Sequence, residues 1–213
     1  LLSLRRQRHM CIRESLNAYT SNDETYYYEF FPSNKLELGL WLESERMLHP
    51  VIDEIGVKTQ NEVVKEEKRL SYDNRPYGQL LPQITQSLFK KHPYRWLPIG
   101  SMDHLDSASL DEFIAYNKKF YVPNNAVLVV AGNFEIDETK NKIKDYFGPI
   151  PRGNDVPRID IEEDPLTAEV RKSFYDPNIQ LPMGLVCYRI PSFKERDSYV
   201  LDMISSRLRS GKS

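Results

Sequence analysis

One glutamate in this 213-residue chain stands where a carboxylate needs a reason to be. From Thr59 towards Tyr72 the run TQNEVVKEEKRLSY has a helical period. An advance of about 100° per residue puts Val63, Val64, Leu70 and Ser71 on one stripe with Glu67 at its centre, while Lys65, Glu66, Lys68 and Arg69 point elsewhere. A carboxylate on an apolar stripe loses hydration when covered, and it persists there with a metal, a cation or several donors as partner. Glu67 is therefore the most informative residue that periodicity singles out. A structural ion pair with an arginine from elsewhere, or a helix left partly exposed, would place it equally well.

The other reactive side chains form no set. His9, His49, His92 and His104, with Cys11 and Cys187, show no HxxH, HxxxH or CxxC spacing and are read as surface or structural groups. There is no GxSxG elbow, and Gly211-Lys212-Ser213 lacks the glycine a phosphate loop needs at position 206, where Ser206 stands.

Several elements must position Glu67. Residues 18–31, AYTSNDETYYYEFF, read as two strands joined by a polar SNDE turn. Ser33 or Asn34 can cap a helix through Leu36, Leu40, Trp41 and Met47 that ends near His49-Pro50 and is apolar nearly all round. A further helical stretch spans 80–90, and Ser109-x-x-Glu112 is a capping box for a helix through Phe120. The continuous apolar run AVLVVAGNF at 126–134 predicts a buried strand, followed by a helix capped at Asp137 and closed by Gly148. A basic helix is possible around Arg5 to Arg8. Helix, strand and helix together predict a layered α/β sandwich.

Residues 148–165, GPIPRGNDVPRIDIEEDP, read as a linker, with a new strand over 185–190 and a helix over 197–208 beyond it. The domain reading is 1–150, a linker at 151–168, and the start of a second domain at 169–213. Hydrophobic residues make up 40%, and Lys+Arg 29 nearly balance Asp+Glu 31, so no basic face points to nucleic acid or an anionic membrane. No apolar run approaches the roughly 18 residues that cross a bilayer, so the chain is read as soluble, cytoplasmic or periplasmic.

Six stretches also follow one order. NAYTSNDETYYYEF at 17–30, LWLESERML at 40–48, NEVVKEEKR at 61–69, HPYRW at 92–96, YVPNNAVLVVAGNF at 121–134 and YFGPIP at 146–151 resemble successive signatures of the pitrilysin/insulinase family of zinc metallopeptidases. The resemblance implies an α+β fold of the mitochondrial-processing-peptidase type, incomplete at its start, with a second similar domain begun. It implies a zinc endopeptidase acting on peptides or unfolded polypeptides, with a second half-domain or a homologous subunit as partner.

Members bind zinc through an inverted HxxEH motif, whose glutamate is the general base on metal-bound water, and through a distant downstream glutamate. The second glutamate of the VVxEE pattern is that ligand, which here is Glu67. The family strand Asn-Ala-x-Thr matches Asn17, Ala18 and Thr20, and its edge pairs with the substrate backbone.

The resemblance also has departures. HxxEH belongs roughly 30 residues before Asn17, upstream of Leu1, so no catalytic base is expected in this chain. Many members have a helper glutamate where this chain has Gln60, and residues 1–16 do not match the family's glycine-rich stretch. A noncatalytic peptide-binding or assembly subunit of the same fold is the alternative reading.

Overall fold

A computed structural model describes residues 15–177 and 179–209; the stretch around Arg5 to Arg8, His9, Cys11 and the terminal Gly211-Lys212-Ser213 lie outside them. Among the described residues, strands β1 (Ser15–Thr20) and β2 (Thr25–Phe30) are followed by α1 (Leu36–Leu48), α2 (Glu54–Lys68), α3 (Leu80–Leu88), α4 (Met102–Ser107), α5 (Leu110–Phe120), α6 (Ile136–Phe147) and α7 (Arg196–Arg209). The α+β class expected from the sequence holds. The chain divides into two units, one up to Asp73 with Leu97–Asp160, the other Asn74–Trp96 with the chain from Ile161 onward.

In the first unit β1 and β2 pair antiparallel, Ser15 opposite Phe30 and Thr20 opposite Thr25. The SNDE turn is set locally: the Ser21 amide donates to the Glu24 carbonyl at 2.8 Å, and Ser21 Oγ accepts from the Asp23 and Glu24 amides. On one face Tyr19 stacks on Tyr26 at 5.3 Å, and Tyr26, Tyr28 and Phe30 continue the aromatic row. Such cross-strand pairs are the unit of stabilisation in a sheet.

The expected caps of α1 are not made. Ser33 and Asn34 instead enter a 3₁₀ turn, Ser33–Lys35, and no side chain caps the helix that follows. Only Gly39, Leu40 and Ser44 of α1 are buried, so it is covered on one side and not all round. Gly39 is needed for that side, because a Cβ there would run into the Phe31 ring. The helix packs against α6, where Thr139 is buried and the Tyr146 hydroxyl donates to Glu37 Oε1 at 2.9 Å. Asp137 lies in the first turn of α6 and does not cap it, and Gly148 ends the helix with right-handed φ −59.

Helix α2 begins before the expected Thr59, because Asp53 caps it by accepting from the Gly56 amide at 2.6 Å. Helix α4 was not anticipated and docks against α2. Asn61 Nδ2 donates to the Leu105 carbonyl at 3.0 Å, and Lys65 pairs with Asp106.

Two expected strands are not ladders here. The backbone is extended at Ala126, with φ −123 and ψ 153, yet residues 126–134 pair with no strand, and Val127 is 90% exposed. Residues 185–190 behave likewise, with Val186 79% exposed. A strand exists through its neighbour's hydrogen bonds, and none of the described residues supplies one. The buried apolar side chains among the described residues are accordingly few: Leu40, Val57 and Val122.

The second unit joins α3 to the chain beyond the linker. Tyr77 takes a left-handed φ of 61, and its hydroxyl donates to the Leu181 carbonyl at 2.7 Å. The amides of Lys90, Lys91 and His92 all donate to Glu163. These ties explain why Asn74–Trp96, placed in the first domain from sequence, clusters with the tail.

Candidate functional site

Helix α2 carries the candidate ligand on an open face. Four charges near it have partners: Lys65 with Glu62 at 2.8 Å and with Asp106, Glu66 with Arg69 at 3.2 Å, and Lys68 with Asp73 at 3.0 Å. Glu67 is exposed and makes no hydrogen bond or ion pair with another described residue. Gln60, two turns earlier on the same stripe, is half-buried. The periodicity placed Val63 and Leu70 beside Glu67, and they are there, but 53% and 64% exposed. Gln60 and Val64 are partly covered but Glu67, Leu70 and Ser71 are exposed, so the carboxylate that the sequence predicts to be desolvated is a solvated one in this chain.

Immediately after Glu67 the helix widens into a π turn, Arg69–Asp73, a feature common at functional sites. Periodicity gave no sign of it, because a π turn differs from an α turn in hydrogen bonding and not in residue type.

Zinc needs three protein donors at least, and the donor chemistry around Glu67 does not supply them. Among the described residues no group of three His, Cys, Asp or Glu side chains gathers. His49 Nδ1 lies 3.0 Å from Glu45, His92 accepts from the Tyr94 amide, and the His104 amide donates to Ser101. Glu67 can contribute one donor, and the described residues alone do not make a zinc site.

The second candidate is the free edge of β1. Ser21 and Glu24 form the closing hydrogen-bonded pair of the hairpin, so bonded pairs recur at Tyr19–Tyr26 and Asn17–Tyr28. The amides and carbonyls of Ala18 and Thr20 then point away from β2, to an edge with no partner strand among the described residues. Asn17 Oδ1 accepts from the Ala18 amide at 2.9 Å, and Asn17, Ala18 and Thr20 are all exposed. That hydrogen bond between neighbours carries no sequence signal of its own. The edge can add an extended peptide, which would take the Ala18 amide from Asn17.

Comparison with known proteins decides the family. Residues 107–213, half of the chain, match the family model described as the Peptidase M16 inactive domain. The chain belongs to the M16 peptidase family. Over 199 residues this M16 chain is 28% identical to the zinc protease PqqE of Helicobacter pylori, covering 92% of this chain and 45% of that one. It is 29% identical over 133 residues to an uncharacterized zinc protease of Mycobacterium leprae, 62% of this chain and 30% of the relative.

The crystal structure of a protease from Helicobacter pylori superposes with a TM-score of 0.65 at 29% identity, over 70% of this chain and 36% of that one. The first half of the periplasmic protease PqqL from Escherichia coli shares the fold, with a TM-score of 0.59 at 23% identity over 68% and 31% of the two chains. The M16 chain thus spans less than half the length of these relatives. Glu67 and β1 both precede its stretch matched to the inactive domain. No helix among the described residues is long and apolar enough to cross a membrane.

Proposed function

We propose that this chain is part of a zinc-dependent endopeptidase, in which Glu67 is one metal ligand and the β1 edge at Asn17, Ala18 and Thr20 receives the substrate backbone. The observation that carries the reading is Glu67 itself. On a helix whose neighbouring charges are paired, the carboxylate at the centre of the apolar stripe has no partner among the described residues, and the π turn follows directly. Glu67 is exposed and solvated, so its carboxylate stands open to a metal whose other donors come from elsewhere. The sequence match of Glu67 to the family's ligand position supports the same assignment.

The remaining donors and the general base belong to parts of a longer protein. The uncovered faces at 126–130 and 185–190 belong against such parts too, in a second half-domain or a homologous subunit. Substrates are peptides or unfolded polypeptides, the class an added-strand edge captures. Along the sequence the proposed domains are 1–150, the linker 151–168 and the start of a second domain from 169, although Asn74–Trp96 clusters with the chain from Ile161 onward. The protein is a soluble one of cytoplasm or periplasm, the latter being the compartment in the name of the Escherichia coli relative.

A second reading, a noncatalytic peptide-binding or assembly subunit, is favoured by the match to an inactive domain and by Gln60. Metal analysis of the complete protein separates the two. Glu67→Gln keeps size and hydrogen bonding but removes the charge. Zinc content and peptidase activity are expected to fall together, by at least the 10–100-fold typical of changes beyond the ligands themselves. Glu66→Gln, paired with Arg69 away from the stripe, is expected to keep both. Unchanged zinc in the Glu67 variant would remove the ligand assignment, and a complete protein without bound zinc would favour the noncatalytic subunit.

A further inference from the structure

The His92-Pro93-Tyr94-Arg95-Trp96 run has no part in the proposed metal or peptide site, yet it is built as a receptor. Helix α3 leads into it, and its turn is fixed from several sides. The Tyr94 amide donates to His92 Nδ1 at 3.2 Å, Arg95 Nη1 to the Lys90 carbonyl at 2.9 Å, and Thr85 Oγ1 to the Arg95 carbonyl at 3.2 Å. The rings of His92 and Tyr94 pack edge-on at 4.3 Å with Phe89 against both.

This frame aims three successive amides, those of Lys90, Lys91 and His92, at a single oxygen. They donate to Glu163 Oε1 at 2.7, 2.5 and 2.6 Å. Consecutive amides converging in this way make a nest that favours an anion. Arg189 lies 4.0 Å from the other carboxylate oxygen and donates through Nη2 to the Asp164 carbonyl at 2.7 Å, and the Glu163 side chain is 9% exposed. Lys91 Nζ holds Asp164 at 2.7 Å. The charged side chain facing Glu163 is thus Arg189, while Lys91 Nζ pairs with Asp164, the Arg95 guanidinium bonds the Lys90 carbonyl and lies over the Trp96 ring, and the His92 ring nitrogen is turned to Tyr94.

We propose that the HPYRW turn is the receptor of an acid-labile latch, which fixes the end of the linker while the Glu163 carboxylate is ionised and releases it when that group is protonated. Charge-assisted hydrogen bonds are about twice as strong as neutral ones, so protonation weakens three bonds at once. The oxygen that gains the proton also faces Arg189, which offers only donors. The latch makes the chain from Ile161 onward one body with Asn74–Trp96, and it gives both the HPYRW signature and an acid in a proline-rich linker a physical task.

Amide exchange on the full chain tests this. Glu163→Gln makes the uncharged state permanent. At pH 7 it is expected to lower the protection of the Lys90, Lys91 and His92 amides about tenfold, the scale of one weakened hydrogen bond to a charged group. Trypsin cleavage at Arg171 and Lys172 should rise with it. Glu162→Gln is expected to change neither. Wild-type protein in acid well below the usual carboxylate range, compared by protection factor, should resemble the Gln variant.

Wild-type protection in the Glu163→Gln protein at pH 7 would overturn the latch. Full protection of the wild type in acid, with the Gln variant open, would overturn its acid release. Should the Gln variant not fold, His92→Pro removes one of the three converging amides at a residue whose φ of −68 proline can adopt, and unchanged exchange at Lys90 and Lys91 in that protein would equally sink the proposal.

Discussion

The hydroxyl groups of Tyr27 and Tyr121 lie 3.0 Å apart and tie β2 to the residue that ends α5. Their rings meet edge-on at 6.3 Å, and the Arg46 guanidinium of α1 lies 4.3 Å over the Tyr27 ring while binding both oxygens of Glu43 at 2.8 Å. Three elements therefore converge on one phenol. Burial, then the hydrogen bond and the charge of Tyr121, push the Tyr27 hydroxyl well above its usual range, and Arg46 offsets only part of this.

Tyr27→Phe is expected to cost about 1 kcal/mol in denaturant unfolding, as is Tyr121→Phe, with the double variant losing little more than either. Additive losses would mean that the two hydroxyls do not interact. The raised value also fixes a sign. The contribution is complete below the unfolded tyrosine value of about 10 and is lost as pH rises above it, so the gap in melting temperature between wild type and Tyr27→Phe should narrow from pH 10 upward.

What the sequence shows and hides follows from the range of the interaction. The hairpin at Ser21–Glu24 and the box at Ser109–Glu112 were legible because each is closed by atoms within four positions. The AVLVVAG run was legible as apolar and extended but not as unpaired, since hydropathy records what a residue avoids and not which strand lies beside it. Glu67 shows the same division: periodicity assigns its stripe, while its exposure depends on what covers α2. Glu163 was lost among linker charges because its partners are amides, which every residue has.

The capping box offers a local test of the fold. Ser109 Oγ accepts from the Glu112 amide at 3.3 Å, and Glu112 Oε2 accepts from the Ser109 amide at 2.8 Å and its hydroxyl at 2.9 Å. Those bonds, the backbone one foremost, hold the Glu112 carboxyl below its usual range. Ser109→Ala is expected to cost about 1 kcal/mol of stability, with reduced protection of the first α5 amides. A cost near zero would show that α5 starts without its cap.

The latch carries its own pH sign. Burial would raise the Glu163 carboxyl, but the amides of His92, Lys91 and Lys90, with Arg189, outweigh it and hold the group below the usual carboxylate range. A depressed folded value stabilises above the unfolded value of about 4.3, and the effect is lost as pH falls through the folded one. The melting temperature of wild type should exceed that of Glu163→Gln by a constant amount from pH 8 to 5 and converge on it in stronger acid. A gap that stays constant down to pH 3 would show that the carboxyl does not titrate with unfolding.

The β1 edge can be tested apart from the hairpin that bears it. Ala18 sits at a position whose amide faces away from β2, so Ala18→Pro removes an outward donor while leaving the ladder bonds at Asn17 and Tyr19 in place. Proline is tolerated on edge strands where the lost amide faces away from the ladder. If the edge receives the substrate backbone, the complete protein carrying Ala18→Pro should show KM raised about tenfold, the worth of one lost hydrogen bond near 1.4 kcal/mol, with zinc content and melting temperature close to wild type. Tyr19→Pro is the opposing control. It breaks a bond to β2 at the Tyr26 pair and removes a stacked ring, so its melting temperature should fall whether or not a peptide binds. Unchanged KM in Ala18→Pro, with a stable fold and intact zinc, would show that β1 is scaffold and that the peptide is held elsewhere.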